Sequence, residues 1–397
     1  MSATFTRVVH RFSQRYSAYF NGSRGADFAL CAPDGARHTF GNGHPAFTLA
    51  AADERGLNAL DSLDQLVIAE SYLRGHVDVD GDIATLLQHR NFFPDLHPLL
   101  RAWRFIKPRI SGQVKSDESW ISRHYDMDAE FFLTFMDTRH RSYSHAIFEN
   151  DDESLEVAMS RKLDFAIEAV GATSGDRVLD VGGGWGAFAE HAGRRGIQVT
   201  SLTISRESER FLHELISRER IPCTVRYEHL YEHSPPEPYD AIVVLGVTEH
   251  LPDYVKSLAK YRSLLKPGGK VYLDACAKRR KYQVSAFLQK HVYPGNGTPM
   301  CLHDYLRAVA ASPFRLEGVW DDRHSYGLTA REWAVRLDAR RQEIERRWGK
   351  AQYRKFRLFL WGSAEGFFRD DIQAYRIVLG LPDVNPRKPR LPAAAGA

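Results

Sequence analysis

A glycine-rich turn between a strand and a helix is the feature that most constrains this 397-residue chain. Residues 180–186 read Asp-Val-Gly-Gly-Gly-Trp-Gly, after a strand-like run and before a helix-like run. An acid at a strand end, followed by Gly182, Gly184 and Gly186, lets the backbone approach a nucleotide closely. The turn therefore predicts a nucleotide-type cofactor site, with simple packing as the alternative.

Strand-like and helix-like segments alternate from about residue 118 onward. The strand candidates are Arg177–Val181, Gln198–Thr203, Thr224–Tyr227, Ala241–Leu245 and Lys270–Asp274, with a turn at 264–269 before the last of them. Strands separated by helices predict an α/β fold with a doubly wound, mostly parallel sheet of Rossmann type. Such sheets bind ligands outside the carboxyl ends of their strands, which is where the glycine turn falls.

The strand after the glycine turn lacks the acid that holds the ribose of NAD. A dinucleotide site needs an acidic residue about 20 positions beyond the glycines. This chain instead has Leu-Thr-Ile-Ser at 202–205, which argues against an NAD site.

Composition excludes several other classes of protein. The formal net charge of +4 is too small to argue for nucleic acid. The sequence contains no run of 18 apolar residues, so we expect no transmembrane helix. The N-terminus lacks the apolar core of a signal peptide. The four cysteines show no metal-binding spacing, so we predict no metal site, reduced thiols and a cytoplasmic protein.

The chain divides into four segments by pattern. Residues 1–100 predict a small α+β accessory domain, with helices over 6–20, 61–73 and 83–87 and short strands over 27–49. A basic linker is expected at 101–117, a catalytic domain at 118–380 and a flexible tail at 381–397. The basic groups of the linker and of residues 278–281 favour contact with anionic headgroups, with a solvated basic surface as the alternative.

A second cluster follows the strand candidate at 241–245. It reads Leu-Gly-Val-Thr-Glu-His-Leu-Pro over 245–252. Glu249 lies beyond the carboxyl end of a buried-looking strand and is expected to face the cofactor crevice. The alternative is a solvated loop carboxylate, since charged residues are usually exposed.

Motifs along nearly the whole chain together resemble the cyclopropane-fatty-acyl-phospholipid synthase family, which includes the mycolic acid cyclopropane synthases. The motifs include Ser-Arg-His-Tyr-Asp at 122–126, Tyr-Ser-His-Ala-Ile-Phe-Glu at 143–149, the glycine turn, Leu-Gly-Val-Thr-Glu-His at 245–250 and Ser-Tyr-Gly-Leu-Thr-Ala-Arg-Glu-Trp at 325–333. The resemblance implies a class I methyltransferase fold with helical lid insertions, S-adenosylmethionine as the cofactor and an unsaturated acyl lipid as the substrate. It also implies a lipid-recruiting or dimerising first domain, with peripheral contact at the inner membrane face.

The resemblance carries over a set of cofactor-binding positions. They are Tyr125, Tyr143, Ser144, Asp180, Gly182, Gly183, Gly184, Gly186, Thr203, Ser208, Tyr231 and Glu232. Tyr125, Tyr143 and Ser144 would wrap the methionine part of the cofactor. Ser208 stands where the family usually has Gln, and the adenine contacts are expected between residues 228 and 232.

The resemblance also implies a chemistry. In the family, a methyl cation is transferred to a carbon–carbon double bond, and a bicarbonate held by Glu, His, Tyr and backbone near a Cys removes the proton that closes the ring. Glu249 and Tyr326 match, but His145 stands at the Cys position and Asp274 at the His position. Two carboxylates would repel an anion by about 1 to 4 kcal/mol. We therefore predict that His145, Asp274 or both replace bicarbonate, or that the product is methyl-branched.

Several alternatives stay open at this point. His145 could be a pocket-wall residue and Tyr326 a buried core tyrosine. The aromatic residues of 353–377 wall an acyl tunnel or form the core side of C-terminal helices. The chain could also methylate a soluble small molecule, with Asp274 holding a cationic amine, or bind its cofactor without catalysis.

Overall fold

The structure is a computed structural model and describes residues 2–21, 25–95, 129–281, 283–293 and 297–383. The expected linker at 101–117 and Tyr125 lie outside the described residues, as does the tail beyond residue 383. Within the described ranges the chain forms two sheets, one of four strands and one of seven.

The four-stranded sheet lies in the N-terminal part of the chain and has the order β2-β1-β3-β4. The elements here are α1 (Ala3–Phe20), β1 (Phe28–Cys31), β2 (Arg37–Phe40), β3 (Phe47–Ala51), α2 (Glu54–Ser62), α3 (Gln65–Arg74), β4 (Val77–Gly81) and α4 (Ile83–Gln88). α1 buries Phe5, Val8 and Phe12 on one face at helical spacing. The ring of Phe12 meets that of Phe28 on β1, so an aromatic core joins the helix to the sheet.

The expectation of a single helix over 61–73 is corrected, because two helices share this region. α2 ends at Ser62, and the next residue, Leu63, has a left-handed φ of 54°. Asp64 then accepts the Val67 N–H at 2.9 Å and caps the start of α3. The break was readable in the sequence, since Asp is a favoured N-cap residue.

The seven-stranded sheet has the order β10-β11-β9-β8-β5-β6-β7. Its strands are β5 (Arg177–Val181), β6 (Gln198–Thr203), β7 (Cys223–Tyr227), β8 (Tyr239–Leu245), β9 (Leu265–Ala277), β10 (Arg315–Asp321) and β11 (Gln373–Gly380). Neighbours from β5 to β9 pair in parallel, and β11 runs antiparallel to both β9 and β10. The order reverses between β5 and β8, where doubly wound sheets bind their ligands. The predicted α/β fold class is confirmed.

Helices flank this sheet on both faces. They are α5 (Ala129–Leu133), α6 (Leu155–Val170), α7 (Ala187–Gly193), α8 (Arg206–Glu219), α9 (Tyr254–Leu264), α10 (Leu302–Ala310), α11 (Arg323–Ala339), α12 (Arg341–Trp348) and α13 (Lys350–Phe368). Over the described ranges, none of the helices has the length and apolar character needed to span a bilayer.

One strand starts earlier than the sequence predicted. Residues 264–269 were expected to form a turn, but β9 already begins at Leu265. Its pairing with β8 shifts register between Tyr239 and Ala241, and Gly268 has a positive φ of 80°. A bulge of this kind absorbs a Pro-Gly-Gly sequence without ending the strand.

The C-terminal helix α13 connects the two parts of the molecule. Arg354 on α13 donates to the Tyr72 carbonyl at 2.6 Å and to the Asp78 carboxylate at 2.7 Å. From the other side, Arg90 donates to the Gly362 carbonyl at 3.1 Å. These hydrogen bonds hold the N-terminal part of the chain against α13, which packs on α11.

Candidate active site

The glycine turn forms one wall of a cavity of about 150 Å³ at the carboxyl ends of β5, β6, β7 and β8. Gly182 and Gly184 have φ values of 82° and 50°, in the left-handed region that favours glycine. The N–H groups of Gly182 and Gly183 both donate to the Leu202 carbonyl, at 3.0 and 2.9 Å. These bonds fix the turn against β6 beside the cavity.

The glycines of the turn differ in what they are needed for. A Cβ on Gly182 would lie 2.4 Å from Val247 Cγ2, and one on Gly186 would lie 2.4 Å from Leu215 Cδ2. A Cβ on Gly184 would meet nothing nearer than 3.8 Å. Gly186, which was expected to lie beneath the cofactor, does not line the cavity; it is the N-cap residue of α7, and its lack of a Cβ allows α8 to pack closely.

Buried polar groups form much of the remaining wall. The Ser201 hydroxyl donates to the Asp180 carboxylate at 2.8 Å, and burial raises the pKa of Asp180 to about 6. Thr203 is buried at the end of β6. Ser208 donates to the Gly184 carbonyl at 2.6 Å, so its hydroxyl supports the glycine turn.

Of the expected adenine region between residues 228 and 232, residues 228–230 line the cavity, whereas Tyr231 and Glu232 do not. The amide of residue 228 donates to the Thr203 carbonyl at 3.0 Å, which keeps the turn after β7 beside the cavity. The Tyr231 hydroxyl instead meets the Ser257 hydroxyl at 3.3 Å, and Glu232 is exposed. Loop residues after a strand tip have no fixed side-chain period, so the sequence could not set this register.

Tyr143 and Ser144 enter the cavity from the segment before α6. The Tyr143 ring stacks on Trp333, with centroids 5.4 Å apart and an interplanar angle of 23°. Ser144 is buried and accepts a hydrogen bond from Lys162. Acidic, hydroxyl and aromatic groups in one concave site fit a polar, cationic sulfonium nucleoside, which is the chemistry of S-adenosylmethionine.

A larger cavity, of about 690 Å³, adjoins the first. Tyr143, Gly246 and His250 line both cavities, which places them at the junction. Its wall is mainly apolar and is formed by both parts of the molecule. The N-terminal part supplies Ile68, Val79 and Leu86, and α13 supplies Leu358 and Phe359. An apolar chamber beside a polar cofactor cavity suits a substrate with a long apolar part.

Glu249 lines this larger cavity from a single 3₁₀ turn, Thr248–His250, after β8. Its Oε1 accepts the Cys276 N–H at 2.6 Å. Its Oε2 is buried and has no hydrogen-bond partner among the described residues. Burial, helped by the charge of Asp274, raises the pKa of Glu249 to about 7. A carboxyl group that titrates near neutrality is suited to accept a proton.

Tyr326 lies near Glu249, with Cys276 between them. Burial raises the pKa of Tyr326 well above its usual value, and Cys276 and Glu249 add to this effect. The hydroxyl therefore stays neutral and can donate a hydrogen bond. The Tyr326 ring stacks on Phe367 with centroids 4.3 Å apart. Glu249, Cys276 and Tyr326 are the chemical groups that the structure brings together at the cavity wall.

The structure places His145 behind that wall, and its expected role as a base stays a prediction. His145 is fully buried and lines neither cavity. Its Nε2 lies 3.0 Å from Asp322 Oδ2, and Arg376 pairs with the same carboxylate at 3.2 Å. The His145 ring packs 4.8 Å from the Tyr326 ring, so it supports the tyrosine from behind.

Asp274 also lies behind the wall, and its expected role as a base likewise stays a prediction. Lys162 Nζ lies 2.8 Å from Asp274 Oδ2, and both side chains are buried. The Gly246 N–H donates to Asp274 Oδ1 at 2.7 Å. A buried carboxylate is tolerated only when it is paired in this way. With its charge already matched by Lys162, Asp274 offers no free anion to an amine substrate.

Three residues of the site were missed by sequence reasoning. Lys162 falls on the buried stripe of α6 beside Met159, and a lysine at such a position signals a buried partner. Cys276 follows Asp274 by two positions on β9, so strand alternation places both on one face. Asp322 gives no such signal, because its partner His145 lies far away in the chain.

A family model described as mycolic acid cyclopropane synthetase matches residues 113–377, which is more than half of the chain.

Curated relatives share about a quarter of their residues with this chain. A probable fatty acid methyltransferase of Mycobacterium tuberculosis is 26% identical over 297 residues, which cover 72% of this chain and 67% of that protein. Sphingolipid C9-methyltransferase A of Emericella nidulans is 26% identical over 318 residues, which cover 74% of this chain and 60% of that protein. Cyclopropane mycolic acid synthase 3 of Mycobacterium tuberculosis is 26% identical over 277 residues, covering 65% of this chain and 95% of that protein.

Solved structures share the fold. The cyclopropane synthase MmaA2 from Mycobacterium tuberculosis superposes with a TM-score of 0.62 at 25% identity, covering 66% of this chain and 98% of that chain. Coclaurine N-methyltransferase, solved with N-methylheliamine and S-adenosylhomocysteine, gives a TM-score of 0.65 at 19% identity, covering 79% of this chain and 98% of that chain. The second likeness extends over more of the chain but, at its low identity, concerns the fold alone.

Proposed function

Since this chain belongs to the mycolic acid cyclopropane synthetase family, we propose that it transfers a methyl group to the double bond of an unsaturated acyl chain in a lipid. It is an S-adenosylmethionine-dependent methyltransferase. The proposed product is a cyclopropane or a methyl-branched chain that keeps a double bond, and the proposed lipid is a phospholipid. The fatty acid, sphingolipid and mycolic acid enzymes among its relatives support an acyl substrate.

The observation that carries the proposal is the joining of two unlike cavities. The polar cavity at the glycine turn meets the apolar cavity of about 690 Å³ at Tyr143, Gly246 and His250. An acyl chain in the apolar cavity can therefore bring a double bond to the methyl donor with water excluded. Glu249, the residue before His250, lines the larger cavity beside this junction, and its buried Oε2 has no hydrogen-bond partner among the described residues.

The residues around the junction have separable roles in this scheme. When bound, S-adenosylmethionine supplies an electrophilic methyl group. Tyr143 would hold the donor side, while Tyr326 and Phe367 wall the alkene side with aromatic faces, which favour a developing positive charge. Glu249 Oε2 would then remove one proton from the methylated chain, and the neutral carboxyl would return that proton to solvent.

We further propose that Glu249 acts directly and that bicarbonate is dispensable. The position that carries His in the family carries Asp274 here, and the Cys276 N–H is already used by Glu249 Oε1. A second anion would therefore meet the Glu249 carboxylate and find the Cys276 N–H already engaged. The two departures from the family pattern each have a buried partner, Lys162 and Asp322, which argues against decay into a catalytically inactive protein.

Labelled S-adenosylmethionine and vesicles of matched phospholipids test this function. We expect label to enter a phospholipid with mono-unsaturated chains and not its saturated counterpart, and NMR of the product to distinguish cyclopropane from methyl-branched chains.

Carbon dioxide-free buffer with and without added bicarbonate tests the role of Glu249. Transfer to soluble amines alone would contradict the proposal, as would tight cofactor binding without transfer to any lipid. Strict bicarbonate dependence would contradict the role of Glu249.

A further inference from the structure

A pair of basic side chains interrupts the apolar wall of the large cavity. Arg90 comes from the segment after α4, and Lys278 follows the end of β9. Both line the cavity, together with the carboxylate of Asp371. Because the three groups come from both domains, this basic site exists only where the N-terminal domain meets the catalytic domain.

The two cations differ in how they are compensated. Arg90 donates to Asp371 at 3.0 Å and to the Gly362 carbonyl at 3.1 Å. In the described part of the chain, no carboxylate pairs with Lys278. Burial lowers the pKa of Lys278, the nearby charge of Arg90 lowers it further, and the charge of Asp371 partly opposes both effects. Of the other acids on the wall, Glu249 accepts the Cys276 N–H, and Asp95 accepts the Ala286 N–H at 3.0 Å, so the carboxylate of Asp95 is engaged elsewhere.

An uncompensated cation in a mainly apolar cavity is costly unless a ligand supplies the missing anion. Arg369 also pairs with Asp371, at 3.5 Å, and the charge of Glu365 acts on Arg90. The three basic side chains therefore exceed the two acids by one positive charge, which matches one carboxylate or phosphate. Charge-assisted hydrogen bonds from guanidinium and ammonium groups are among the strongest that such an anion can receive.

The position of this pair relative to Glu249 limits the substrate further. Lys278 follows Cys276 by two residues, so their Cα atoms lie on the order of 7 Å apart. Gly362, which holds Arg90, precedes Phe367 by five residues on α13, or about 7.5 Å along the helix. Phe367 stacks on Tyr326. The basic pair therefore lies a short distance along the cavity from the group that would act on the double bond.

We infer that Lys278 and Arg90 bind the anionic end of the acyl substrate, a carboxylate or phosphate, and so set which part of the chain reaches Glu249. This inference rests on the proposed function, because it assumes that the large cavity holds the acyl substrate. It makes the N-terminal domain part of the substrate site, since that domain supplies Arg90 and much of the apolar wall.

Two matched substrate pairs separate the sources of the anion. One pair is a mono-unsaturated fatty acid and its methyl ester, and the other is an unsaturated phosphatidic acid and the matching diacylglycerol. Binding is measured by calorimetry with the full chain, and turnover by label transfer. We expect the anionic member of at least one pair to bind about tenfold or more tightly than its neutral partner, and Lys278→Gln to abolish that preference by raising KM more than it lowers kcat.

The neighbouring Arg280 is exposed and lies outside the cavity wall, so Arg280→Gln serves as the matched control, and Lys278→Arg should restore the preference. Equal binding of charged and neutral members by the wild type overturns the inference, as does an equal loss for both members in Lys278→Gln. Binding that follows charge without turnover of any lipid leaves the anion site standing and contradicts the proposed function instead.

Discussion

Lys162 Nζ lies 2.8 Å from Asp274 Oδ2, and the two side chains are 0% and 1% exposed. The pair does not touch either cavity directly. Lys162 donates to Ser144, and Asp274 accepts the N–H of Gly246, and both of these neighbours line the cofactor cavity. The buried pair thus fixes two walls of the cofactor site relative to each other.

Breaking this pair from one side should be strongly destabilising. We expect Lys162→Met to lower the free energy of unfolding by about 3 to 5 kcal/mol, because it leaves Asp274 buried without a counter-charge. The double variant with Asp274→Asn should recover part of this loss, since the Asn oxygen can still accept the Gly246 N–H. Urea denaturation measures both. Arg307→Met, in an exposed pair with Asp304, is the control and should cost less than about 1 kcal/mol. Equal losses in the free energy of unfolding from Lys162→Met and Arg307→Met would contradict this account.

The ionisation of Glu249 should appear in the pH profile of catalysis. A base must be ionised to accept a proton, so kcat/KM should rise as pH increases through about 7, the pKa of Glu249. Glu249→Gln should lower kcat by about 100- to 10,000-fold. Glu365→Gln is the control, because Glu365 is buried with a raised pKa but lies outside both cavities. An unchanged midpoint near pH 7 in residual Glu249→Gln activity would assign the ionisation to another group.

The buried carboxyl group of Glu249 should also lower the free energy of unfolding as pH rises. Its pKa is raised in the folded state, so the folded protein loses stability as pH rises from the unfolded value, near 4.5, through about 7. We therefore expect Glu249→Gln to be more stable than the wild type above pH 7, by up to about 3 kcal/mol, with the difference vanishing below pH 4.5. Thermal unfolding across this range measures it. A difference that does not change with pH would contradict the burial of an ionisable Glu249.

The glycine turn should be sensitive to a single methyl group. Gly182→Ala combines a φ of 82° with a Cβ that would lie 2.4 Å from Val247, so it should weaken S-adenosylmethionine binding by about tenfold or more and cost over 1 kcal/mol of stability. Gly175→Ala has a similar φ of 92° with nothing within 4 Å. This control should lose comparable backbone stability and keep its cofactor affinity, as measured by calorimetry. If Gly182→Ala and Gly175→Ala had equal effects on S-adenosylmethionine affinity, Gly182 would contribute only its backbone conformation.

The central strands of the large sheet were predictable because they are buried on both faces and read as short apolar runs between helices. The antiparallel strands β10 and β11 were not among the strand candidates, and β10 is largely exposed. The runs that became β5, β6 and β8 and the glycine turn after β5 were visible for this reason. Glu249 could be placed at a strand end without any knowledge of its partners. Local pattern thus indicated where the site lies.

The partners of the site could not be predicted, because they come from distant parts of the chain. In the sequence alone, His145 and Asp274 are simply replacements of the Cys and the His that the family has at these positions. The structure supplies Asp322 to the first and Lys162 to the second, and neither pairing follows from spacing. The two-domain wall of the large cavity could not be predicted either. It forms only where the two domains meet, and the periodicity within each domain carries no information about that contact.

The large cavity should be open to steric blocking without damage to the fold. Gly362 lies within α13 and lines the cavity, and a Cβ added to it would meet only Leu87, at 4.0 Å. Gly362→Phe should project a ring into the cavity while its helix propensity slightly exceeds that of glycine. We expect lipid turnover to fall by about tenfold or more, equivalent to about 1.4 kcal/mol, with cofactor affinity and stability unchanged. Gly362→Ala is the control and should retain turnover, because the single methyl group fits at ordinary contact distance. Full lipid turnover by a folded Gly362→Phe variant would show that the acyl chain does not occupy this cavity.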